Sequence, residues 1–389
     1  MTTLHSKPVE RAVTPAAASV DAPPCRGYVE YLFAFDIAYD TRREPIASIL
    51  GQSVAEFAVD VDRRSPREAL FYRPLTARLG PLKSDDPAAP TCIERTIKFF
   101  PVGALSVAIR VPFEGRRLGD LVALHDSKAA QAEALRLAEL AMAELSPRLI
   151  RPMPAPREEE AYTIFCLEAD GASTAAAPLQ GAGVGAEAWL AANRRAVAAL
   201  LLQEDRPETL SEQEIEESTG KHVSYYEHDL VVVDWDAALV IDRPGQFAPT
   251  LHIMELANVQ LAELKAYDRI LDEALPRAYQ DLAKYRLGRR PAVVRTLRDF
   301  RIDMARLSDE LSNAAKFFGD WHLARVYRQL SDRFHLEHWR RTIESKVGTL
   351  DDLYAIVKQD QMNFGMMVLE ATIVVLFILD LIVLVMVGG

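Results

Sequence analysis

The chain has 389 residues, 49% of them hydrophobic and 26% charged, which suffices for two domains of ordinary size with a real core. Its formal net charge of −11 and pI of about 5.4 weigh against general nucleic-acid binding, which calls for a basic face. The three cysteines, Cys25, Cys92 and Cys166, are far apart with no CxxC or CxxH spacing, which argues against a disulfide framework or a structural zinc site and leaves buried free thiols.

Residues 1–26 are rich in Ala, Pro, Ser and Thr and lack the apolar core of a secretory signal, so they read as a disordered, uncleaved tail of prokaryotic type. Glu10 and Asp21 speak against a transit peptide. Residues 27–150 form a first α/β subdomain. Tyr28–Ala38 and Leu105–Phe113 are strand-like, with aromatic and β-branched residues, and the stretch 43–57 between them suggests a short helix. Ala123–Leu145 is a strong helix, with Ser127 placed to cap it and Ser146-Pro147 to stop it. The proline-rich stretch Arg151–Glu160 marks a boundary.

A second subdomain, 151–245, follows in similar order. Ala161–Ala169 is a strand, 171–185 a loop of small residues, and Ala186–Glu204 a helix. Ser211 and Glu214 stand in capping-box spacing, and Ser224–Asp242 reads as two strands meeting at Asp234-Trp235-Asp236. The fold class is thus α+β, an α/β sandwich whose two rounds admit a duplicated ferredoxin-like arrangement. From 246 to 362 the pattern is helical throughout. Helices are expected from about Pro249, over Pro291–Phe318 and over Asp320–Gln361, as a long hairpin. Trp339, Ile343, Val347, Leu350, Tyr354 and Val357 recur by threes and fours, a coiled-coil-like seam suited to a homo-oligomer or to packing within the chain.

Residues 363–389 form the membrane segment. Between Phe364 and Val387 the only charged side chains are Glu370 and Asp380, and a helix of that length, about 36 Å, spans a hydrocarbon core of about 30 Å. Arg340, Arg341, Lys346 and Lys358 precede the run and nothing basic follows it. The expected arrangement is therefore a single-pass tail anchor in an inner (cytoplasmic) membrane, with the N-terminus in the cytoplasm. The two acids are about 80° apart on the helical wheel. An acid at the depth of Asp380 costs on the order of 2.5–3.5 kcal/mol to insert, so it needs a partner from another subunit or another membrane protein.

Chemistry-bearing motifs are scarce. No P-loop, GxGxxG, GxSxG or HExxH is present, and no metal or cofactor is implied. His335 and His338, with His322 upstream, and the pair His222 and His228, which fall on one face if that stretch is a strand, read as surface histidines. Arg116 and Arg117 read as a surface turn.

Glu255–Glu273, Phe317–Tyr354 and Leu369–Leu381 resemble the required-for-meiotic-nuclear-division family, which carries two acids ten residues apart in its terminal span. The corresponding residues here are Glu370 and Asp380. The resemblance covers roughly 220–385. Val368 and Ala371 stand where that family often has Arg and Trp, and the second acid there is usually Glu. It implies a self-associating membrane protein whose mitochondrial relatives support organellar protein synthesis, and it supplies no catalytic residues. The expected function is a non-catalytic scaffold or binding module at the bilayer, with an unidentified protein partner and no nucleic acid. The alternative is a membrane-tethered enzyme or ligand-sensing domain.

Overall fold

The fold is seen in a computed structural model, which describes residues 24–42, 44–56, 74–82, 93–153, 160–169, 185–283 and 321–387. The expected helix over 291–318, the loop of small residues except for Gly185, most of the proline-rich boundary and Cys92 lie outside the described residues. The architecture is mixed α+β, with a large N-terminal sheet, C-terminal helices and one apolar terminal helix.

The longest early strand, β1 (Cys25–Asp36), is apolar on both sides, which suits a strand buried on both faces. It sends Val29, Tyr31, Phe33 and Phe35 to one core and Leu32 and Ala34 to another. After the short β2 (Ala38–Thr41) come β3 (Ser48–Ile49), β4 (Gln52–Ser53) and β5 (Ala55–Glu56), then β6 (Leu75–Leu82), β7 (Ile93–Phe100) and β8 (Ala104–Arg116). Beyond β9 (Leu149–Pro152) lie β10 (Glu160–Glu168), β11 (His222–Val223), β12 (Leu230–Val233) and β13 (Ala237–Asp242). Nine of these form one sheet in the order β11-β12-β13-β10-β1-β8-β7-β6-β5. The two expected subdomains therefore share a sheet. Their first strands pair directly, with Gly27 opposite Leu167 through Ala34 opposite Glu160. The strand order is mirrored about that junction but the directions are not: β8 is antiparallel to β1, whereas β13 is parallel to β10. Gly27 sits where a side chain has no room, since a Cβ there would lie 1.8 Å from the Cys166 carbonyl oxygen.

Over the described residues 44–56, the stretch expected to be a short helix is not one. Ser48 and Ile49 pair with Ser53 and Gln52 across Leu50-Gly51, both at positive φ (48° and 71°). Two left-handed central residues make a tight hairpin turn, and the glycine is what permits it.

One face of the sheet is covered by α1 (Leu118–Leu121), α2 (Lys128–Leu145) and α3 (Ala186–Leu201). Ser127 caps α2 by accepting from the Ala130 amide at 3.2 Å, and Ser211 caps α4 (Glu212–Thr219) by accepting from the Glu214 amide at 3.1 Å. The other face is covered by α5 (Ala248–Ala283), α6 (Trp321–Arg333) and α7 (Leu336–Val387). Between α6 and α7 the chain turns at His335, which has a φ of 51°, while the preceding Phe334 is buried edge-on against Tyr162 with ring centroids 5.0 Å apart.

Contacts advance along α5 and along α6–α7 in step, so these helices run in the same sense. The Tyr327 hydroxyl donates to Gln260 Oε1, and further along Lys346 donates to Asp268 and Asp272. Buried residues recur every seven on each helix, as Leu264, Leu271 and Ala278 on α5 and as Leu336, Ile343 and Leu350 on α7. Helix α7 has 52 residues and is about 78 Å long at about 1.5 Å per residue. It leaves the body without interruption.

Phe334 is the wedge between the sheet and the C-terminal helices. Phe334→Ala is expected to lower the unfolding free energy of the full chain in mild detergent by about 3–5 kcal/mol. Tyr279→Ala, at a side chain 52% exposed, is expected to shift it by less than about 0.5 kcal/mol. Denaturant titration of the two variants checks this.

Candidate functional site

The most chemically loaded region is the seat of α5 on the sheet. Every residue from Thr250 to Leu264 is buried, including His252, Glu255, Asn258, Gln260 and Glu263. A helix buried all round is normally apolar all round, so its polar residues need specific partners. Glu255 forms an ion pair with Lys98 on β7. Asn258 donates to the Glu160 carbonyl oxygen at 2.9 Å, and Lys265 pairs with the Glu160 carboxylate at 2.7 Å. Gln260 meets Tyr327, as above.

The sheet register explains why charge collects here. Thr76, Lys98 and Ser106 stand side by side on β6, β7 and β8, and Glu94, Arg110 and Glu30 stand side by side on β7, β8 and β1. Arg110 pairs with Glu30 at 2.6 Å and Glu94 at 3.3 Å, and its guanidinium lies 4.2 Å from the centroid of the Tyr28 ring. Burial pushes the Glu30 carboxyl above its usual range, against the opposing pull of Arg110. Burial and the neighbouring Lys98 charge both hold the His252 imidazole well below its usual value, hence neutral. Ser106 Oγ, Thr76 Oγ1 and Glu255 Oε1 are buried without a hydrogen-bond partner. At the end of β1, burial pushes Asp36 up to about 7, while Arg269 on α5 and the Ala38 amide draw it down.

The residues singled out from sequence fall in two places. Ile343 and Leu350 are buried in the core beneath α7, and Trp339 and Val347 are half-buried against it. That stripe thus packs within the chain, beside α5. Tyr354 and Val357 continue on α7, with side chains outside the described residues. Glu370 and Asp380 lie on the exposed run Met362–Val383, a 22-residue helix long and apolar enough to cross a membrane, none of it buried. The histidines are dispersed. His222 is on β11, His228 stacks on Tyr226 in the following turn, His322 lies against Tyr225, and His335 lies against Trp235. The stretch from His222 to Asp229 is therefore not one strand. Among the described residues no group of three or more His, Cys, Asp or Glu could hold a metal ion. Cys25 and Cys166 are buried thiols outside any disulfide, and burial pushes Cys25 up to about 11. Arg117 opens α1, where its amide donates to Asp120 at 3.0 Å.

The model of the family described as "Uncharacterized protein MJ0711, N-terminal domain" matches residues 26–248. The chain belongs to this family. The matched segment is the whole sheet together with α1 to α4, from the start of β1 to the first residue of α5. It lies almost entirely outside the stretches that resemble the meiotic-nuclear-division family. The uncharacterized protein MJ0711 of Methanocaldococcus jannaschii is 27% identical over 179 residues, covering 45% of this chain and 55% of that protein. The chain thus spans about half the length of this relative. No solved structure matches the chain. The MJ0711 N-terminal-domain unit therefore ends where α5 begins, and the Lys98–Glu255 pair ties that unit to the helical part beyond it.

Two expectations follow from the charge layer. Breaking the buried pair on one side, by Lys98→Met or by Glu255→Leu, is expected to destabilise the chain by about 3–5 kcal/mol, because a buried charge is left uncompensated. The double variant is expected to recover most of that loss in the same denaturant titration. Asp36 carries a raised folded-state value, so its contribution to stability is full below about pH 4 and is lost as pH rises through about 7. Asp36→Asn is therefore expected to match wild type near pH 4 and to exceed it by on the order of 2–4 kcal/mol at pH 8, read as Tm and unfolding midpoint across that range.

Proposed function

We propose that the protein is held in a membrane by its C-terminal helix, self-associates there, and presents the family unit, 26–248, as a non-catalytic binding module on the cytoplasmic side. One observation carries the reading. A single unbroken helix, α7, is buried against the body at its start and exposed along the whole of Met362–Val383. A soluble protein does not leave a run of that length and apolarity bare. The cations Arg340, Arg341, Lys346 and Lys358 all precede the span, which supports a cytoplasmic body in an inner membrane. The resemblance of the C-terminal part to the meiotic-nuclear-division family supports the same location and self-association. The charge layer supports binding over catalysis: Lys98 is paired with Glu255 of α5 and Arg110 with Glu30 and Glu94, so these ions serve pairing within the chain rather than facing a substrate.

The full chain is expected to stay in the membrane fraction after alkaline extraction, and a chain ending at Gln361 to move to the soluble fraction. Release of the full chain by alkali would overturn the reading.

A further inference from the structure

Helix α7 is continuous, so the direction in which its body part faces fixes the direction in which its apolar part faces. Taking Ile343, the fully buried centre of the stripe beside α5, as reference, Leu350 and Val347 fall within about 40° of it at about 100° per residue. On the same wheel Ile373, Asp380, Phe377 and Glu370 fall at about 120°, 100°, 160° and 180°. These four are spaced by three, four and three, the pattern of a helix–helix seam. The opposite side of the span, in line with Ile343, carries Val368, Thr372, Val375 and Leu379. Thr372 satisfies its own hydroxyl by donating to the Val368 carbonyl oxygen at 2.7 Å. The two carboxyls are then the only polar side chains between Phe364 and Val383 that require an outside partner.

We infer that the Glu370–Ile373–Phe377–Asp380 face of α7, turned away from α5, is the contact surface for a second copy of this chain. This rests on the reading that the span lies in a bilayer. The chemistry selects the copy. An acid in an apolar run needs a polar partner at its own depth, and the same acid of a second, parallel helix stands at that depth. Two copies entering the membrane from the same side place Glu370 beside Glu370 and Asp380 beside Asp380 with no adjustment of register. Ile373 and Phe377 fill the seam between them. Each copy's α5 lies on the far side of its own α7, so the two sheet bodies are carried outward and do not collide.

The test is disulfide mapping in the full chain in native membranes, with Cys92→Ser as background. Cys25 and Cys166 are buried and do not compete. Ile373→Cys and Phe377→Cys probe the proposed face, and Val375→Cys and Leu379→Cys the opposite one. All four wild-type side chains are exposed in the single chain. Oxidation is expected to crosslink the first pair about threefold to tenfold more than the second, the range that an interhelical hydrogen bond in a membrane supports. Asp380→Leu is expected to abolish the difference, and Asp380→Asn, which keeps a donor and an acceptor, to retain it. Equal crosslinking on both faces, a preference for 375 and 379, or a bias that survives Asp380→Leu overturns the proposal. Alkaline extraction of the same variants separates the two ideas. A chain that stays in the membrane without the bias sinks this inference alone, and a chain that washes out sinks the membrane reading with it.

Discussion

The seating of α5 is the constraint on which the rest of the structure depends. A helix buried from Thr250 to Leu264 has no solvent-facing side on which to place polar residues. It nevertheless carries six of them, Thr250 included, and at least three are tied to a different neighbour: Glu255 to β7, Asn258 to β10 and Gln260 to α6. Apolar packing alone would let such a helix slide or rotate by a turn at little loss. A carboxylate that must meet Lys98, and an amide that must meet the Glu160 carbonyl, allow one register. The charge layer is best understood as this register device. Buried ion pairs are weak sources of net stability and are better suited to selecting one arrangement among several.

Once α5 is fixed, α7 follows. Lys346 reaches Asp268 and Asp272, and the seven-residue stripes of the two helices lie side by side. Load applied to the apolar end of α7 therefore reaches the sheet through α5, and also through Phe334 against Tyr162. The family boundary makes the same point from another direction. The MJ0711 unit stops at residue 248, so the helices that join it to the apolar end lie outside the unit and meet it through α5, α6 and Phe334.

The elements with strong local signals were legible in the sequence. Strands β1, β8, β10, β12 and β13 are rich in aromatic and β-branched residues, and the capped helices α2 and α4 announce their starts. The apolar terminal helix follows from length and composition alone. Other elements lacked a local signal. Strand β7 alternates, but Glu94, Thr96 and Lys98 share one face of it, which reads as a polar surface until Lys98 is paired with Glu255 of α5. The 43–57 stretch was misread because Ile46, Ile49 and Leu50 mimic helical spacing, and the glycine at position 51 outweighs that pattern. Trp339, Ile343, Val347 and Leu350 were legible as a packed stripe, but not their partner, since a stripe records that something packs against it without naming what. One signal for the charge layer is present in the sequence. The polar residues of 252–263 are scattered around the helical wheel instead of gathered on one side, and in a strongly apolar helix that scatter implies burial on all sides with polar partners.

The continuity of α7 also limits how body and span can change independently. Adding or removing one residue between Leu350 and Glu370 would turn the acid face by about 100° relative to α5 while leaving both length and composition of the span nearly unchanged. Hydropathy and insertion energetics are blind to such a change, and the direction faced by the carboxyls is not. A plain anchor has no reason to hold a fixed rotational phase with the body it carries. Here that phase is set by a helix without a break, gripped on one side by Ile343 and Leu350 and clamped by Lys346. The acids within the span are therefore coupled to the sheet by geometry as well as by chain connection.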